Sequence, residues 1–434
     1  MAETTAEGRW GNLELLRLNA FGFGTNGVFL TMDIMILPVL TLFLVSHELK
    51  NTYLGFLGFG GLLMAALIQF GIAPLSDRTR SRLGRRVPFL LSGCMLICLG
   101  LVLVGLTPNY VALFVVWLFI QGGINVGYGP YQALIQDLVP AKRIGLASSY
   151  KILSDAAGAL LLIFLVGELL GFAAGSTPGI WIWLSLGILG MSMLVTTGVT
   201  SSVVIRRQKD DDAVYPFRPR RGLGLHPQLS RFLVSRLLIL AAIAAFQTYG
   251  MFFIKDVIEL ANPTQALGRM ILVIGVSLAS SVYLTGRLSD RIGRKPLILA
   301  GAVGAAVATI WMLSAEDAGD VLMIASVIGF SIGALLSANW AMANDLGTSG
   351  REALHMGFVN LATISGSALA KVAGPGIDLL NRLEPTVLFL DHSYIISGYS
   401  ALLMGCGLLF LTGAFLLLPL KIDSHTRVSS TSIH

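Results

Sequence analysis

Charge is what this chain lacks most. Asp, Glu, Lys and Arg make up 12% of its 434 residues, hydrophobic residues make up 55%, and the mean hydropathy is +0.77. A water-soluble globule could not cover its surface with so few polar side chains, so the bilayer is read as the solvent. Cysteine is almost as scarce. Cys94, Cys98 and Cys406 all fall inside apolar segments, which argues against a disulfide framework or a zinc site. No cleavable signal peptide is expected, because the polar first residues lead into an apolar segment too long for a signal h-region. No phosphate-binding loop, metal-ligand cluster or nucleophile–base arrangement is visible, so no enzyme activity, no cofactor and no ATP-driven chemistry are expected.

What the chain does have is apolar length. Stretches of membrane-spanning size, roughly 20 residues each, fall near 13–44, 52–73, 88–107, 110–136, 144–171, 179–205, 229–258, 265–287, 296–315, 320–344, 351–381 and 392–420. They are too long and too little alternating for barrel strands, and backbone groups in hydrocarbon must satisfy one another, so helices are required. The 49 glycines fit close helix packing. The fold class expected is an all-α polytopic membrane protein of twelve transmembrane helices in two six-helix repeats. Its domains are an N-terminal bundle over 1–205, a polar, Pro-containing linker over 206–228, a C-terminal bundle over 229–420 and a disordered tail over 421–434.

Basic residues set the orientation. With both termini cytoplasmic, Arg78, Arg85, Arg86, Arg143, Arg206, Arg207, Arg231, Arg236, Arg287, Arg294 and Lys295 are among those on the inner side. Only Lys50, Lys255, Arg269 and Arg382 fall outside, the asymmetry expected of a multi-pass protein in a cell inner (plasma) membrane. The net charge of +6 is thereby an orientation signal, and nucleic acid is not an expected partner. Membrane lipid is.

Two loops are copies of one another. The first runs Asp77-Arg78 to Gly84-Arg85-Arg86. The second runs Gly286-Arg287-Leu288-Ser289-Asp290-Arg291-Ile292-Gly293-Arg294-Lys295, with Gly293 lying 209 residues after Gly84. Asp137-Leu138 before Arg143 is echoed 208 residues later by Asp345-Leu346 before Arg351. The halves are copies of one unit. The first copy carries a four-residue insertion, Thr79-Arg80-Ser81-Arg82.

The second loop resembles in full the signature of the major facilitator superfamily. The inserted Thr-Arg-Ser-Arg, the closing Pro88-Phe89 and the Phe21-Gly22-Phe23-Gly24 run are similar to the glycoside–cation symporter and sucrose-carrier branch. The resemblance implies a secondary transporter working by alternating access. It also implies a gate in which Asp77 latches the start of the eleventh helix near Arg351 and Asp290 the start of the fifth near Arg143. There are departures: residues 52–73 contain no Asp or Glu where melibiose-type carriers bind sodium, and Leu118 stands where proton-coupled relatives carry an Arg.

Ionised side chains at mid-bilayer are expensive and therefore functional candidates. Asp33 sits near mid-depth of the first segment. Lys151 and Asp155 lie four apart on one face of the fifth, the spacing of an internal ion pair. Glu168, Lys255, Asp256, Glu259, Asp378 and Lys371 are read as snorkelling to the outer interface. Asn125, Tyr128 and Gln132 on the fourth segment, Gln247 on the seventh, and Asn339 and Trp340 on the tenth offer amide and aromatic groups that suit a polar solute or plain helix–helix bonding. By resemblance, Asp33, Asn125 and Lys151 approximate the sugar-site residues of melibiose-type carriers.

The expectation is a monomeric carrier of a small polar organic solute, a sugar or glycoside among the options, with protons ahead of sodium as the coupling ion. Export of a hydrophobic or amphiphilic compound is the alternative within transport. A non-transporting assembly factor or sensor on the same scaffold is the alternative outside it.

Overall fold

In a computed structural model, residues 10–79, 81–172, 178–207, 227–345, 352–383, 386–389, 392–395 and 397–419 are described. The linker and tail expected at 206–228 and 421–434 lie almost wholly outside them. The helices are α1 (Asn12–Leu44), α2 (Lys50–Arg78), α3 (Val87–Gly105), α4 (Tyr110–Leu138), α5 (Ile144–Gly171) and α6 (Pro178–Arg207), followed by α7 (Pro227–Asp256), α8 (Pro263–Ile292), α9 (Arg294–Trp311) and α10 (Ala318–Asp345). α11 comes in two pieces, Glu352–Lys371 and Gly374–Leu383, and α12 is Gly398–Phe415. Among the described residues, eleven helices are long and apolar enough to cross a membrane.

Sequence chemistry sets the ends. Pro178, Pro227 and Pro263 open α6, α7 and α8, where a missing N–H costs no helical bond. Asn109 caps α4 by accepting from the Ala112 amide at 2.9 Å. The twelfth segment departs from its expected start at 392. Thr386–Phe389 (β1) and His392–Ile395 (β2) pair antiparallel in a short hairpin, and α12 begins only at Gly398. These runs are rich in β-branched and aromatic residues, which favour strands.

The duplication reaches the backbone. Gly84 and Gly293, equivalent positions in the two repeated loops, have φ of 88° and 85°, a region glycine enters without the steric cost a Cβ would bring.

The halves meet at the end of the bundle opposite the basic loops. There Asp378 of α11 caps the start of α2. It accepts from the amides of Asn51 (3.3 Å) and Thr52 (2.7 Å), from Asn51 Nδ2 (2.8 Å) and from Thr52 Oγ1 (2.6 Å). Lys50 pairs with Asp256 of α7, which also accepts from Tyr399 at 2.7 Å. Glu168 of α5 accepts from Arg269 (2.7 Å) and Gln265 (2.6 Å) of α8. Two close backbone approaches seal this end: a Cβ on Gly374 would press on the Asn51 carbonyl, and one on Gly55 on the Lys371 carbonyl.

These contacts correct the snorkelling expectation for Asp256 and Asp378. Asp378 is 4% exposed and bonds Asn51 and Thr52, and Asp256 bonds Lys50, itself 2% exposed, so both acids serve inter-half bonds rather than water.

Candidate functional site

Two irregular helices meet at the centre. In α1, Pro38 has no N–H for the Ile34 carbonyl, and just before it the helix widens into a π-turn over Met32–Ile36, a defect often found at functional sites. Asp33 sits in that turn. In α11, Pro375 has no N–H for the Lys371 carbonyl, and the helix breaks after Lys371. Tyr249 of α7 donates its hydroxyl to that freed carbonyl at 3.0 Å. Lys371 thus ends a half-helix, where the dipole favours a cation.

Lys371 Nζ lies 2.7 Å from Asp33 Oδ2 and 3.0 Å from Oδ1. Its stem crosses Gly58 of α2, where a Cβ would stand 2.6 Å from Cε. The lysine side chain is 6% exposed and the carboxylate 14%. Lys371 therefore does not snorkel. The expectation failed because distance from a helix end gives height but not direction, and Lys371 points inward, where Asp33 waits. The cation opposite Asp33 is Lys371 and not Lys151.

Lys151 belongs to a separate cluster in the N-terminal half. Its ammonium donates to Asp155 Oδ2 at 2.7 Å and to the Tyr128 hydroxyl at 3.1 Å, and lies 5.1 Å and 5.4 Å from the centres of the Tyr128 and Tyr131 rings. Tyr128 in turn donates to Asp155 Oδ2 at 3.3 Å. Gly22 of α1 makes room for this carboxylate, since a Cβ there would collide with Asp155 Oδ1. Asn125 is engaged between helices, accepting from Gln69 Nε2 and donating to the Gln121 carbonyl, both at 2.9 Å. Gln132 is exposed and Gln247 half-buried.

In the C-terminal half, Asn339 and Trp340 surround a residue that sequence reading counted only as a topology signal. Arg236 of α7 is 2% exposed. It donates through Nη1 to Asn339 Oδ1 at 2.5 Å and through Nε to Thr363 Oγ1 at 3.3 Å, and lies 4.3 Å from the Trp340 ring centre. Ten positions into α7, it is enclosed by α10 and α11 rather than lying in an open loop.

At the basic loops, Arg86 and Arg85 both grip Asp137, at 2.9 Å and 2.8 Å, and Arg86 also donates to Ser76 at 2.7 Å. Arg143 donates to the Trp10 carbonyl and Lys295 to the Leu418 carbonyl at 3.2 Å. Arg78 and Gly286 are exposed, and Arg294 opens α9. The side chains of Asp77, Asp290 and Arg291, and all of Arg351, lie outside the described residues, so the expected latches do too.

Comparison with known proteins agrees with this architecture. Over 94% of its length the chain is similar to a bacterial homolog of the human lysosomal transporter Spinster in an inward-facing, occupied conformation (TM-score 0.65, 16% identity, 93% of that chain). It is also similar to a peptide transporter in complex with alafosfalin (TM-score 0.68, 14% identity, 93% of each chain). Among curated sequences, the sucrose transport protein SUT1 of Oryza sativa subsp. japonica is 27% identical over 166 residues, 32% of this chain and 29% of that one. The alpha-ketoglutarate permease of Escherichia coli (strain K12) is 25% identical over 280 residues, 61% of this chain and 63% of that one. The matches thus span under a third of the sucrose carrier and under two thirds of the permease. Residues 22–371 match the profile of the Major Facilitator Superfamily, and with two six-helix repeats joined at paired irregular helices, the chain belongs to that family.

Proposed function

We propose that the protein is a proton-coupled secondary transporter that imports a small polar organic solute by alternating access, with Asp33 as the proton-carrying group. One observation carries this reading: the Asp33–Lys371 pair, which bridges the two halves where both contributing helices are irregular. A carboxyl at this depth avoids an unpaired charge in two ways, by binding a proton or by holding an ammonium. The two are mutually exclusive. A proton on Asp33 therefore removes one tie between α1 and α11 and links protonation to the separation of the halves. Discontinuous helices at the repeat interface are the usual place for such a site. With no acidic residue in 52–73, the chemistry favours protons over sodium.

Assigning the basic loops to the cytoplasm by the positive-inside rule makes the described arrangement closed toward the outside, with both termini cytoplasmic in an inner membrane. The relatives named above include carriers of a sugar and of an organic acid, both small and rich in oxygen.

The test is solute uptake by proteoliposomes under an imposed pH gradient. Wild type should acidify the lumen in step with uptake, and Asp33→Asn should lose proton-driven accumulation while retaining exchange. Full accumulation by the Asn variant would remove Asp33 from the mechanism.

A further inference from the structure

The geometry points to Arg236 and Asn339 as an anion-binding site, so that the solute carries a carboxylate; this rests on the transport reading above. Arg236 is buried, yet among the described residues its hydrogen-bond partners are the neutral Thr363 and Asn339 and no carboxylate touches it. A buried guanidinium without a counter-charge is costly. Only two of its five N–H donors are used in these bonds.

The second observation is independent. Asn339 is 1% exposed, and its Nδ2 has no hydrogen-bond partner. The amide orientation is fixed, because turning it over would aim Nδ2 at the guanidinium. Among the described residues the site therefore holds surplus donors side by side and no acceptor for them. A planar carboxylate supplies two acceptor oxygens and the missing negative charge, and guanidinium binds it in a fork. Trp340 backs the guanidinium and stiffens the fork.

The repeat adds a reason. The 208-residue offset that relates Asp137 to Asp345 also relates Tyr131 to Asn339 and Asp155 to Thr363. In the N-terminal half that triplet of helices contains its own carboxylate, Asp155, bound to Lys151. In the C-terminal half the positions equivalent to Asp155 and Lys151 are Thr363 and Val359, and the cation is supplied from α7 by Arg236, with no internal acid at Thr363 to meet it. One half is self-neutralised and the other is left for a ligand's charge.

The experiment uses purified full-length protein in nanodiscs, with thermal stabilisation and equilibrium binding as readouts. The probes are succinate, 2-oxoglutarate and gluconate as carboxylates, sucrose as a neutral polyol, and chloride and sulfate as inorganic anions. At least one carboxylate should stabilise wild type, and its affinity should fall about tenfold or more in Arg236→Gln. Asn339→Asp is the decisive second variant. It places an internal carboxylate on the guanidinium, so it should fold at least as well as wild type and lose carboxylate binding.

Unchanged carboxylate affinity in Asn339→Asp would overturn the assignment. So would a wild-type protein that none of the carboxylates stabilises, or one that chloride or sulfate stabilises equally. Proton-driven accumulation of sucrose without carboxylate uptake would sink the anion site and leave the transport reading standing. Carboxylate binding without uptake under any gradient would do the reverse.

Discussion

Lys371 Nζ stands 2.7 Å from Asp33 Oδ2, joining α11 of one half to α1 of the other. Removing the lysine strands the carboxylate, a loss of about 3–5 kcal/mol for a buried pair, whereas an Asn at 33 still offers the ammonium an amide oxygen. Lys371→Met should therefore express poorly and unfold at lower temperature, while Lys371→Met with Asp33→Leu should recover stability but show no proton-driven accumulation. Size-exclusion profiles and uptake separate the two effects. A single lysine variant as stable as wild type would show that the pair is not formed.

Asp378 is predicted to hold the outer end shut by capping α2 from across the interface. Losing a cap of this kind costs about 1 kcal/mol, so Asp378→Asn should shift the outer-closed population by about fivefold. Spin labels at the exposed positions Phe43 and Leu383 would report a longer-distance population. An unaltered distance distribution would count against the cap.

The glycine approaches make a sharper prediction, because backbone cannot rotate out of the way. Gly374→Ala and Gly55→Ala each place a Cβ against a carbonyl of the opposite half. Both should open the same labelled distance further than Asp378→Asn does and slow turnover. If either variant closes as tightly as wild type, the helices do not approach as described.

The Lys151–Asp155 pair separates a structural from a functional role. Replacing both residues together, Lys151→Met with Asp155→Leu, should preserve expression, because neither charge is left stranded, and should weaken solute binding if the cluster contacts the solute. Asp155→Leu alone should express poorly. A double variant with undiminished uptake would assign the pair to bracing α4 and α5.

Much of the fold was legible because apolar length and duplicated loops are properties of sequence alone. Gly84 and Gly293 could be matched before their shared left-handed backbone was seen. The site was legible in part. Asp33, Lys151 and Asp155 stood out by their cost in hydrocarbon, but their partners did not, since helix counting gives depth and not the direction a side chain faces. Lys371 looked like an interfacial lysine for that reason. Arg236 was hidden differently, because a basic residue near a helix start reads as a topology signal until neighbouring helices are seen to enclose it.

The π-turn at Met32–Ile36 has a consequence for how α1 is numbered against other helices. Each residue of an α-helix advances about 100° around the axis, and a π-turn absorbs one residue more than its α-helical equivalent. The stretch before Met32 and the stretch after Ile36 therefore run in two phases, and no single helical wheel describes both. Deleting one residue inside the turn would let α1 run as a continuous α-helix with both stretches facing as they do now, whereas deleting one in a flanking stretch would rotate the residues beyond it by about 100°. The extra residue in α1 thus decides which residues share a face with Asp33.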